Sequence, residues 1–182
     1  GSVNGRKRRE FPHKDGRSVE IQRLIGRALR SVVDLRGFPD TTLAVDCDVL
    51  QADGGTRTAS ITGASVACAI AFNRMLAEDL LKQSPLKKHV SAVSCGIYQD
   101  SPILDLCYLE DRDARVDFNI VMTQELDFVE LQGSGEEASF SNDEMESMLS
   151  LGRKGITEIA KLQESAVSDA RDPVDQDAAQ KL

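Results

Sequence analysis

Four short apolar segments, at 90–98, 102–109, 115–122 and 126–132, follow one another with only a few residues between them. Segments so closely spaced favour antiparallel pairing, and a meander is expected over this half of the chain. Around it lie stretches with helical spacing. Residues 18–35 put Ile21, Leu24, Ile25, Ala28 and Val32 on one face and Arg23, Arg27 and Arg30 around another, and Gly37 and Pro39 stop that helix. Residues 58–81 carry Ile61, Ala64, Cys68, Phe72 and Met75 as a buried stripe, with Ala59, Ser60, Gly63 and Ser65 small enough for close packing on a sheet. A last helix begins at Ser141, where Ser141-Asn-Asp-Glu144 forms a capping box. Its core face is Met145, Met148, Leu149, Ile156, Ile159 and Leu162. Between the first two helices, residues 41–51 alternate as a strand, with Leu43, Val45, Cys47 and Val49 to one side and Asp46 and Asp48 to the other. The expected fold is α+β, helices packed on a mostly antiparallel sheet. Its expected parts are a basic arm over 1–16, one domain over 17–167 and a polar, acidic tail over 168–182.

Composition excludes several functions. The 182 residues carry a formal charge of −8, which read as an average argues against a nucleic-acid partner. The average conceals segregation. Residues 1–36 hold ten bases against four acids, and the remaining 146 residues hold 12 bases against 26 acids. A basic arm on an acidic body suits a polyanion, although a solvated arm that only aids solubility has the same composition. Aromatic residues make up 4% and tryptophan is absent, so an extended base-stacking platform is excluded. The apolar runs are interrupted well short of a bilayer span, and no membrane association is expected. Cys47, Cys68, Cys95 and Cys107 form no CxxC pair, and buried free thiols in a reducing compartment, the cytoplasm, are expected. The two histidines, His13 and His89, are not placed as a triad base.

Three groups of residues can carry chemistry. Asp53-Gly54-Gly55-Thr56-Arg57-Thr58 lies between a strand and a helix. Its glycines let backbone approach a ligand closely, and N–H groups at a helix start form an anion nest. Arg57 adds a guanidinium fork suited to two phosphate oxygens. The same run also reads as a plain Gly-Gly turn with Thr58 as helix cap. Asp111 and Asp117 stand at adjacent strand ends, where paired carboxylates call for a proton or a hard cation such as Mg²⁺ or Mn²⁺. The alternative is a solvated turn in which Arg112 and Arg115 are the ion-pair partners. Arg17 follows Gly16 at a helix start, where a cation opposes the dipole unless an anion is bound nearby.

These pieces, in this order, resemble the RNase PH family of phosphorolytic tRNA nucleotidyltransferases. The matching stretches are Gly16 to Arg27, Asp46 to Ala64 (DCDVLQADGGTRTASITGA), Val90 to Gly96, Leu104 to Asp111, Val116 to Asn119 and Phe128 to Gly133. The resemblance implies that Gly55, Thr56 and Arg57 bind inorganic phosphate and that Arg17 faces phosphate and the RNA 3′ end. Asp111 and Asp117 match an acidic pair tied to catalysis and to a divalent metal. Arg6, Arg8 and Arg9 resemble an arginine-rich region that contacts RNA. The implied reaction is phosphate-dependent trimming of RNA 3′ ends with release of nucleoside diphosphates, by a homo-hexameric ring assembled from dimers. The other role open to such a chain is a non-catalytic ring or scaffold subunit that binds RNA or partners. Almost none of the family's block of strands ahead of the arginine-rich region is present here, so the chain resembles an N-terminally short member, whether that block is truncated or naturally absent.

Overall fold

A computed structural model describes residues 16–38, 41–135 and 139–170. The arm containing Arg6, Arg8 and Arg9, and nearly all of the acidic tail, lie outside the described residues. The elements in chain order are α1 (Gly16–Val32), a 3₁₀ turn (Leu35–Gly37), α2 (Thr56–Ala77), β1 (Val90–Tyr98), β2 (Ser101–Leu104), α3 (Tyr108–Asp113), β3 (Val116–Thr123), β4 (Phe128–Gly135) and α4 (Asn142–Asp169). The fold is α+β, with one antiparallel sheet of order β2-β1-β3-β4.

Three expectations change. The sheet is not a simple meander, because β3 pairs with the edge of β1 that β2 leaves open. The strand expected over 102–109 stops at Leu104. Asp105 then adopts a left-handed backbone (φ 61°), which its short polar side chain tolerates. The six-residue α3 follows, opened by a capping box in which Cys107 takes the usual hydroxyl's place and its N–H donates to Glu110 Oε2 at 2.8 Å. Asp111 therefore rides on a helix, not on a hairpin turn. Finally, among the described residues 41–51 forms no strand and pairs with none of the four that make the sheet. Leu43 and Val45 are exposed, while Cys47 packs against α2.

β1 is buried along its length because its two faces are both covered. Val90 and Ala92 join Leu24, Ala28, Ile61, Cys68 and Phe72 from α1 and α2. Val93, Cys95 and Ile97 join Phe118, Ile120, Met148 and Ile156 on the α4 side. By length and composition α2 could cross a membrane, but its apolar stripe is seated on the sheet. Ser65 is buried there as expected, but Ala59 and Gly63 are exposed, and nothing lies within 4 Å of where a Gly63 Cβ would be, so they do not mediate the packing. Ser141 and Glu144 form the capping box foreseen for α4. Leu162 corrects that helix's expected core face: it is 69% exposed, and Gln163 is buried instead, donating to Thr62 O and Val90 O at 3.0 Å. Burial pushes the Cys95 thiol up to about 12, consistent with an inert core residue.

Candidate active site

The Gly-Gly loop is held by contacts that the chain can make only with glycine. A Cβ on Gly54 would stand 1.9 Å from Leu106 O, so the loop lies directly on the segment entering α3. Gly55 has φ 68° and serves as the N-cap of α2. Asp53 fixes the junction: its Oδ1 accepts from Gly54 N (2.9 Å) and from Tyr108 N (2.6 Å). The loop thus joins α2 to α3.

The cap itself decides between the two readings of this loop. Thr58 does not cap α2; its hydroxyl donates to Gly55 O at 2.8 Å. Among the described residues no side chain caps the helix, and no acid lies in its first turn. The first N–H groups of α2 therefore face outward with the positive end of the helix dipole behind them. Beneath them, β1 contributes Ser94, whose Oγ is buried, makes no hydrogen bond and lies 3.4 Å from where a Gly55 Cβ would be. Sequence reasoning missed Ser94, because a serine inside an apolar strand looks like an ordinary small core residue.

Arg57 projects from the first turn of α2 between two carboxylates. Its Nη1 donates to Glu20 Oε1 at 3.2 Å, and its Nη2 is 3.9 Å from Asp117 Oδ2. Glu20 also accepts from Gln132 Nε2 at 3.4 Å, tying α1 to β4. Neither Glu20 nor Gln132 was legible as a site residue. Asp117 lies on β3 across from Gly96 of β1, half-buried, with Asn119 Nδ2 donating to it at 3.4 Å. Asp117, Asn119 and Ser94 share the sheet face that α2 covers. The ion-pair reading of the acidic run holds only for Arg112, which pairs with Asp113, while Arg115 turns to Glu144 and approaches Asp100, outside the run.

The expected site residues are only partly gathered. Gly55, Thr56, Arg57 and Asp117 converge. Asp111 is exposed on α3, one residue behind Glu110 of the capping box. Arg17 is exposed at the second residue of α1, and it is Glu20, one turn further on, that reaches the loop. Among the described residues no group of three or more His, Cys, Asp or Glu side chains could hold a metal. Two carboxylates remain a sufficient protein share for Mg²⁺, which keeps several waters and takes oxygens from substrate phosphates. His89 is remote from this cluster, half-buried beside Ser65 Oγ at 3.4 Å.

Residues 2–73 match domain 1 of the 3′ exoribonuclease family, and residues 88–155 match domain 2. Among solved structures, rice (Oryza sativa) Rrp46 superposes with a TM-score of 0.65 over 87% of this chain and 69% of that one, at 19% identity, a likeness of fold. Two domain matches in order, covering most of the sequence, identify the chain as a member of the 3′ exoribonuclease, or RNase PH, family.

Proposed function

We propose that the chain is a phosphorolytic 3′→5′ exoribonuclease that trims RNA 3′ ends, those of tRNA among them. The observation that carries this reading is the uncapped N-terminus of α2, with Arg57 beside it and the unpartnered, buried Ser94 hydroxyl beneath it. Together these supply backbone N–H groups, a guanidinium and a hydroxyl to one anion. In the reaction an oxygen of inorganic phosphate attacks the phosphorus of the terminal phosphodiester. The bond to the preceding nucleotide's O3′ breaks, O3′ takes a proton, and a nucleoside 5′-diphosphate departs. Phosphate is already an anionic nucleophile and needs no histidine base. The chief barrier is bringing two anions together, which Arg57, the α2 dipole and Arg17 offset. Asp111 and Asp117 would hold Mg²⁺ or Mn²⁺, whose charge neutralises the phosphoryl oxygens. Asp117 meanwhile orients Arg57.

The ring expected of the family would be a homo-hexamer built from dimers, with Arg6, Arg8 and Arg9 contacting RNA. The four free cysteines support a reducing compartment, the cytoplasm. One observation favours a second reading, a non-catalytic ring or scaffold subunit: Glu20 and Asp117 already occupy the guanidinium that phosphate would need. Arg57→Ala separates the two. In the enzyme it abolishes phosphate-dependent release of nucleoside diphosphate from tRNA with extra 3′ nucleotides, while leaving the thermal transition in place. RNA binding without shortening by the unmodified chain supports the scaffold.

A further inference from the structure

The aromatic residues are few, and among the described ones two rings are conspicuously exposed: Phe128 at 45% and Tyr108 at 60%. Phe128 is covered by the Arg153 guanidinium, 5.4 Å from the ring centroid. Tyr108 is different. It is the first residue of α3, a helix that buries none of its side chains. Its backbone N–H is bonded to Asp53, the residue that opens the anion loop. Asp111 and Arg112 follow at three and four residues, so they share the helix face of Tyr108. An exposed ring therefore stands where α3 meets the anion loop, on the helix face that also carries Asp111. The fold does not require it there, since it contributes nothing to the core.

We propose that Tyr108 stacks on a nucleobase at the RNA 3′ end and so positions the terminal phosphodiester over the anion loop, an inference that rests on the exoribonuclease reading. Arg112 on the same face is already held by Asp113, and Asp111 is an acid, so among the described residues of that face no free cation stands beside the ring, which favours a neutral base as its ligand. A single ring accommodates every base through its π-face and adds affinity without sequence selectivity. The phenol oxygen is not needed for stacking, so phenylalanine should substitute.

The test compares wild type, Tyr108→Leu and Tyr108→Phe in two assays. The first is phosphate-dependent trimming of an oligoribonucleotide. The second, run without phosphate, is fluorescence quenching of the same RNA carrying 2-aminopurine at its 3′ end. The expected result is a KM for RNA raised on the order of tenfold in Tyr108→Leu, the scale of one lost base–aromatic stack. Quenching is lost in the same variant, the KM for phosphate is unchanged, and Tyr108→Phe behaves as wild type. Trimming by wild type and Tyr108→Leu with equal KM for RNA would overturn the stacking role and leave the exoribonuclease reading intact. If wild type does not trim, the exoribonuclease reading fails, and quenching alone decides the role of Tyr108. A change in sedimentation of Tyr108→Leu, with RNA affinity retained, would reassign the ring to a subunit contact and overturn the proposal.

Discussion

Nη2 of Arg57, on the first turn of α2, stands 3.9 Å from Oδ2 of Asp117, on the third strand of the sheet. The two residues are 60 positions apart in the sequence, and neither predicts the other. The sheet register brings them together: Asp117 lies opposite Gly96, on the face of the sheet that α2 covers. The pairing orients the guanidinium at the open end of α2, where an arriving phosphate would have to share it.

The buried hydroxyl of Ser94 gives a test in which stability and function move apart. An unpaired buried hydroxyl costs about 1–3 kcal/mol, so Ser94→Ala should leave the melting temperature unchanged or raise it. Losing a hydroxyl donor to a bound anion should at the same time raise the KM for phosphate about tenfold. Calorimetry and initial rates at varied phosphate measure both; a lowered melting temperature with an unchanged KM would assign Ser94 to packing.

Gly54 should be intolerant of even one methyl group. A Cβ there meets Leu106 O at 1.9 Å, and a backbone oxygen cannot swing aside as a side chain can. Gly54→Ala is expected to lower stability by about 2 kcal/mol, the middle of the range for overpacking, and to detach the loop from α3. Denaturant unfolding checks the first effect. A wild-type midpoint would show that the loop is less tightly seated than the structure indicates.

Stability should fall on mild acidification through His89. Burial lowers its pKa below the ordinary 6.5, opposed in part by Glu164. The folded state therefore resists a proton that the unfolded chain accepts. The stabilising difference is complete above pH 6.5 and is lost as pH falls through the lowered value. Asp34 and Glu144, held below their ordinary carboxylate values by backbone hydrogen bonds from Arg36 and Ser141, add their loss only near pH 4 and below. Unfolding midpoints between pH 7.5 and 5 should decline in the wild type and flatten in His89→Gln; parallel curves would contradict the assignment.

The three long helices were readable because a 3.6-residue apolar period and a Ser-x-x-Glu cap act locally, although Leu162 was misplaced on the last one. The strands were readable as short apolar segments, but not their order, which depends on contacts between distant segments. Residues 102–109 misled because Leu104, Leu106 and Leu109 look like one apolar run. The reversal is made by Asp105 in a left-handed conformation, and the cap uses a cysteine, a residue with no reputation at that position. The loop was legible from its glycines and Arg57. Ser94, Glu20, Gln132 and Asn119 were not, because serine in a strand or glutamate on a helix carries no signal until the register sets it beside the loop.

The central claim is that inorganic phosphate, bound at the start of α2, is the nucleophile. The most direct measurement supplies ³²P-labelled inorganic phosphate with unlabelled, 3′-extended tRNA and Mg²⁺, and separates the products. The account predicts label in the β-phosphate of released nucleoside diphosphates, absent in Arg57→Ala. Shortened RNA with unlabelled nucleoside monophosphates, or bound RNA that is never shortened, would contradict it.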